Sequence, residues 1–273
     1  MEGKAENTKK QFYFLSGLPR SGSTLLAALL SQNPNVYVSP TSALITAMQG
    51  ATMGFLQDRS TTASPVDGQL AHVLRGAADG MYAHVKEANV IDKNRGWPAH
   101  IDKLREVLGE DPKIVCTVRP ITECIASFVK LQKPENVRRY VRNIMNQNGG
   151  MVMGSYIALK HGFENYRENL LFVEYDDLIN NPERELGRIY NFLGTEGHDH
   201  DFNDIINPII ENDTDAWGIP GLHTIRKKLE KRDYDPKDLL GEDLWETYQG
   251  GEFWNDKPEP VREKKPLDFM LEA

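Results

Sequence analysis

The sequence predicts a three-layer α/β fold in which helices flank a central parallel β-sheet. Three observations lead there. Short apolar runs that stop at turn residues alternate with longer amphipathic stretches, the order of parallel strands joined by crossover helices. The first run passes through a turn rich in Gly and Ser straight into an apolar helix, all between Gln11 and Leu30. The chain has 273 residues, 40% of them hydrophobic, enough to fill a core on both faces of a sheet.

Phe12, Tyr13, Phe14 and Leu15 run together and stop at Gly17, which predicts a buried first strand over 11–17. Leu25, Leu26, Leu29 and Leu30 share one face of the helix that follows, and Asn33-Pro34 stops it. From 43 to 86 the pattern is weaker. Ser60 to Gly68 has loop composition, and Leu70 to Val85 has helical spacing. Ala88 to Asp92 predicts a second strand, and Ile101, Leu104 and Leu108 a helix after it. Lys113 to Val118, rich in β-branched residues, is the third strand, and Pro120 opens the next helix. Arg138 to Lys160 reads as one long helix running through Gly149-Gly150. Leu170 to Tyr175 is the fourth strand. Asn181-Pro182-Glu183 starts a helix whose apolar face is Leu186, Ile189, Tyr190 and Leu193, and Gly194 ends it. A sheet of four or five strands is expected. Beyond Thr195 the chain is polar, acidic and irregular. The expected organisation is a flexible N-terminus over 1–10, a single domain over 11–256 and a Pro- and charge-rich tail over 257–273.

The formal net charge of −8 argues against nucleic acid and anionic membranes as partners. A polyanionic ligand would need a site that gathers the Arg and Lys. Cys116 and Cys124 are too few for a disulfide framework or a structural zinc site and read as buried free thiols. No apolar run approaches the roughly 18 residues of a membrane span, and the polar start has no secretory pattern. A cytoplasmic location is expected.

The strongest local signal is Gly17-Leu18-Pro19-Arg20-Ser21-Gly22-Ser23-Thr24, between a strand and a helix. Glycines let the backbone approach an anion, and successive N–H groups with the helix N-terminus supply positive potential. Arg20 adds a planar fork suited to phosphate or sulfate oxygens. The glycine spacing is that of a P-loop, so the fold is P-loop-like, but Ser23 stands where a nucleotidase carries Lys. Asp92 ends too short a strand to serve as a metal-holding aspartate. Both features count against Mg²⁺-dependent nucleotide hydrolysis. The plain alternative is a Gly/Ser turn that only connects strand to helix.

The run from Phe14 to Leu26 resembles the 5′-phosphosulfate loop of sulfotransferases that use 3′-phosphoadenosine-5′-phosphosulfate (PAPS), in the arginine form found in tyrosylprotein sulfotransferases and many bacterial members. The resemblance implies that Pro19, Arg20, Ser21, Gly22, Ser23 and Thr24 hold the 5′-phosphate and the transferring sulfate. Val118-Arg119 followed by Ser127 resembles the family's 3′-phosphate motif, although Pro120-Ile121 stands where the family often has Asp-Pro or Asp-Gly. Read alone, Arg119 fits a surface ion pair better than a ligand contact. Asp92-Lys93-Asn94 resembles the Lys-containing strand-end motif, which makes Lys93, with Arg20, a catalytic cation for the leaving oxygen. Read alone, Lys93 fits a solvated strand-end lysine equally well. Phe172 to Leu178 with Asn181-Pro182 resembles the family's strand before a Pro-started helix, with Tyr175 near the nucleotide or simply packed in the core. Arg226 and Lys227 resemble the basic C-terminal segment that closes the 3′-phosphate site, and they fit a solvated helix start as well. The resemblance spans 11–45, 88–130 and 168–194, with a weaker echo at 217–230.

The resemblance implies a sulfotransferase that moves a sulfuryl group from PAPS to a hydroxyl or amine acceptor, releases adenosine 3′,5′-bisphosphate (PAP) and needs no metal. PAPS and the acceptor are its expected partners. One departure bears on the base: Val38 to Ser42 lacks the Glu pair of tyrosylprotein sulfotransferases. His72, His84 and His100 are titratable candidates in its place. The alternatives are a P-loop kinase or NTPase, and a non-catalytic nucleotide-binding module of the same fold.

Overall fold

In the computed structural model, which describes residues 10–231 and 234–256, five parallel strands make one sheet. They are β1 (Gln11–Gly17), β2 (Val36–Thr41), β3 (Asn89–Lys93), β4 (Ile114–Val118) and β5 (Leu170–Glu174), in the order β2-β3-β1-β4-β5. From β1 the chain goes to the edge strand β2, returns inward with β3 beside β1, and then crosses to β4 and β5 on the other side. A crevice therefore opens beside the C-terminal end of β1, where Gly17 lies opposite Thr117 of β4.

Alternation along the strands decides the layers. Tyr13, Leu15, Ile91, Val115 and Val173 face a core filled by α1 (Ser23–Leu30). Phe12, Phe14, Val90, Ile114, Cys116 and Phe172 face the opposite core. The segment between β2 and β3 forms α2 (Leu44–Gln57), α3 (Arg59–Ala63) and α4 (Gln69–Met81). Next come α5 (Ile101–Leu108) and α6 (Ile121–Gln132), and Leu74, Ile101, Leu104, Ile125 and Phe128 pack into the second core. Then follow α7 (Val137–Ile144), α8 (Met151–Asn165), α9 (Tyr175–Asn180) and α10 (Pro182–Leu193). Helix α10 closes the first core with Leu186, Ile189, Tyr190 and Leu193, and Gly194 caps it at φ 75°. The remaining helices are short: α11 (Asp213–Trp217), α12 (Pro236–Leu240) and α13 (Glu242–Tyr248).

The α/β architecture is as expected, and several elements differ in detail. Strand β2 carries no clean sequence signal because Pro40 interrupts it. An edge position tolerates a proline, and the β2–β3 register shifts between Val38 and Thr41. The loop expected over 60–68 contains α3, and the helix expected to reach Val85 stops at Met81. The long helix expected over 138–160 is two helices, α7 and α8, parted at Gly149, whose φ is 101°. Tyr175 begins a helix instead of ending a strand. Cys116 and Cys124 are free and buried. No helix among the described residues is long and apolar enough to cross a membrane. Most of the expected N-terminal arm (1–9) and the expected tail (257–273) lie outside the described residues.

Candidate active site

The loop after β1 is clamped to β4. Leu18 N donates to Thr117 O at 3.0 Å. The buried Ser21 hydroxyl lies 2.6 Å from Leu18 O, 2.8 Å from Thr117 O and 2.7 Å from Thr117 Oγ1. The closeness explains the glycines. A Cβ on Gly17 would stand 2.2 Å from Thr117 O, and one on Gly22 2.8 Å from the Tyr175 ring, with Gly22 at φ 94°. Arg20 itself sits in the left-handed region at φ 67°. Helix α1 starts at this loop with no side-chain cap and no acidic residue in its first turn. Its leading N–H groups are thus left for an anion.

Arg119 leaves the end of β4 and is 4% exposed. Its Nε and Nη2 reach Glu123 Oε2 at 2.6 and 2.5 Å, and its guanidinium lies 4.5 Å from the centre of the Tyr175 ring. Ser127, two turns along α6, accepts from Arg20 Nε at 3.1 Å. The two anion motifs, 107 residues apart in the chain, therefore meet. Arg20 Nη1 also donates to the carbonyl of Leu222, which ties the loop to the C-terminal segment.

Between these walls runs a cleft. Pro19, Arg20, Gly22, Ser23, Thr24, Arg119 and Tyr175 line one side, and residues 222–226 with Lys228 line the other. Arg20, Arg95, Arg119, Arg226 and Lys228 put five cations around it, against one carboxylate, Glu230, among the described lining residues. On a chain of net charge −8, that is the local concentration of Arg and Lys a polyanion requires.

Three of the residues expected here sit differently. Ser21 spends its hydroxyl on the clamp. Lys227 is 79% exposed and pairs with Asp204 at 3.4 Å, while its neighbour Lys228 lines the cleft. Lys93 is buried at the end of β3, with Nζ 3.0 Å from Glu211 Oε1. It lines a small cavity that Thr24, Ser39 and Pro40 also bound. Burial draws the Lys93 ammonium below its usual pKa, and Glu211 opposes that. Burial works to raise the Glu211 carboxyl, but the Lys93 charge holds it below its ordinary value.

Other groups carried no signal that the sequence reading used. Arg95, just past β3, lines the cleft and also a second cavity edged by Thr41, Gly154, Ser155 and Trp217. His223 lines the cleft, with Nδ1 2.5 Å from Asp213 Oδ1 and 3.6 Å from Glu211 Oε2. His72 and His84 are exposed, and neither they nor His100 lines the cleft. Asp92, the carboxylate a nucleotidase would turn toward a metal, is fully buried. It accepts from Tyr82 Oη and, at 2.8 Å, from Trp97 Nε1.

A strand-loop-helix turn joined to an arginine–serine pair from the neighbouring strand and helix is an arrangement an α/β protein can use to hold a phosphate-like group. The sequence model of the Sulfotransferase family matches residues 13–199, and the chain belongs to that family. Solved structures agree on the fold. The sulfotransferase domain from the curacin biosynthetic pathway is 17% identical, with 94% of each chain covered and a TM-score of 0.51. The sulfotransferase domain from the Synechococcus PCC 7002 olefin synthase is 20% identical, with 95% of this chain and 94% of that one covered and a TM-score of 0.51. No curated protein matches the chain.

Proposed function

We propose that this sulfotransferase takes its sulfuryl group from PAPS, passes it to a hydroxyl or amine acceptor and releases PAP. The observation that carries the reading is the contact between Arg20 Nε and Ser127 Oγ, which joins both anion motifs in one cation-rich cleft. The N–H groups of Arg20 and of 22–24, together with the Arg20 guanidinium, receive the 5′-phosphosulfate, and Pro19 shapes the turn without donating. Arg119 and Ser127 receive the 3′-phosphate, with Arg226 facing them from the opposite wall. Tyr175 supports Arg119 by lying under its guanidinium. As the S–O bond breaks, charge grows on the bridging oxygen, and Arg20 with the loop amides meets it. Lys93 joins them from the end of β3, still paired with Glu211.

A 3′-phosphate site is what separates PAPS from ATP, and it is testable without an acceptor. In calorimetry and thermal shift, PAP should bind and stabilise the protein well beyond AMP, ADP, ATP–Mg²⁺ or NAD. Equal stabilisation by PAP and AMP would remove the 3′-phosphate site and with it this choice of donor.

A further inference from the structure

We propose that His223, held by Asp213, is the general base that takes the proton from the acceptor. The assignment rests on the PAPS reading above. It answers a need that reading leaves open, since no glutamate pair follows the first helix.

Both oxygens of Asp213 are committed to one residue. Oδ2 accepts from the backbone N–H of His223 at 2.8 Å, and Oδ1 lies 2.5 Å from Nδ1. A nitrogen that close to a carboxylate carries the hydrogen, which leaves Nε2 with the free lone pair. Nε2 makes no hydrogen bond to the described residues. The ring is packed, with its side chain 9% exposed, and it borders the same cleft as Arg20, Ser23 and Thr24. An imidazole fixed in one tautomer by a buried carboxylate and open at the other nitrogen is the arrangement that proton abstraction requires.

The neighbouring candidates are less suited. Glu211 is neutralised by Lys93 at 3.0 Å, and a paired carboxylate held below its ordinary pKa is a weak base. The charged groups around His223 are Asp213 and Glu211 on its own segment, Lys93 from β3, and Arg20 and Arg95 along the cleft. Burial lowers the His223 pKa, and the Asp213 bond and Glu211 oppose it. The net direction keeps the ring neutral, and so able to accept a proton, at neutral pH.

The step balances without a co-reactant. A lone pair on the acceptor oxygen or nitrogen forms the new bond to sulfur. The bond from sulfur to the bridging oxygen breaks, and its electrons stay on PAP as a phosphate oxygen. The acceptor's proton moves to Nε2, and the imidazolium later releases it to solvent.

Two measurements on the full chain test this. Diethyl pyrocarbonate attacks neutral imidazole nitrogens. Mass spectrometry should find His223 modified, with the rate rising with pH to a plateau, and saturating PAP should slow that modification at least fivefold. Second, turnover of radiolabelled PAPS with water as acceptor should fall at least tenfold in His223→Gln and in His223→Asn, while PAP affinity stays within about threefold of wild type. The wild-type rate should climb with pH to a plateau, and both variants should lose that limb. Asp213→Asn should shift its midpoint downward. Wild-type rates and an unchanged pH profile in the His223 variants would overturn the assignment, as would a His223 inert to the reagent. Should wild type bind no PAP, the donor reading fails instead. The pH course of His223 modification, compared with Asp213→Asn, then still decides whether the dyad is built as described.

Discussion

Arg119 already has a partner in this structure, because Glu123 holds Nε and Nη2. A 3′-phosphate must share or displace that carboxylate, so Arg119 matters in proportion to the phosphate it meets. Arg119→Ala should weaken PAP roughly 10- to 100-fold and leave AMP nearly unchanged, as expected for a charge-assisted contact worth about 1.5–3 kcal/mol. Isothermal titration with both nucleotides checks it, and equal losses would mean that Arg119 supports the cleft without touching the 3′-phosphate. Lys93→Ala should do the reverse. It leaves Glu211, 12% exposed, without its cation, so stability should drop on the order of 3 kcal/mol while PAP affinity stays close to wild type. Chemical denaturation beside titration separates the two effects. At this scale the sequence was readable where a motif fixes both residue type and spacing, as at 17–24 and at Arg119 with Ser127. Arg95, Asp213 and His223 were not readable. They come from irregular chain whose residues meet only through tertiary contacts, and no periodicity marks them.

Among the elements, the break between α7 and α8 is the clearest case of sequence pattern and backbone disagreeing. Both halves keep helical spacing, so the apolar period runs on through the break and suggests one helix. The chain instead turns at Gly149 and packs Gly150 against the preceding turn. A Cβ on Gly150 would lie 2.5 Å from Asn146 N and 2.6 Å from Asn146 O. Both are backbone atoms, which cannot swing aside. Gly150→Ala should therefore cost roughly 2–3 kcal/mol, although alanine is the better helix former. A denaturation midpoint equal to wild type would show that the break relaxes freely. Strand β2 is the opposite case, an element that forms although its own sequence argues against it. The hydrogen bonds of β3 and the burial of Val36 and Val38 hold it in place despite Pro40. Helices α1 and α10 were legible because period and terminator agree, at Asn33-Pro34 for the one and at Gly194, with Pro182 opening it, for the other.

Over the whole molecule, the shifted histidines point in one direction. Burial leads the shifts of His100, His161, His200 and His223, and all four lie below the ordinary value for histidine. In the unfolded chain such groups take up a proton near pH 6.5, whereas in the folded protein they resist it. The unfolded state therefore binds more protons as pH falls through that region, and stability drops with it. Asp92 and Glu174, both raised by burial, act the other way, two groups set against four. The melting temperature should thus fall between about pH 7.5 and about pH 5.5, and a scanning calorimetry series that stays flat or rises would contradict this. The three-layer architecture was legible at this scale from the alternation of strands and helices, and the cleft's five cations on an acidic chain are what a polyanionic ligand would need.

The bond from Arg20 to Leu222 spans 202 residues. Its consequence concerns the order in which the protein is made. When β5 has left the ribosome at Glu174, every strand is available, yet the wall formed by residues 222–228 has still to be synthesised. The sheet can therefore begin to assemble before that wall exists. A ligand that needs both walls then arrives late, as a clasp on a scaffold already begun.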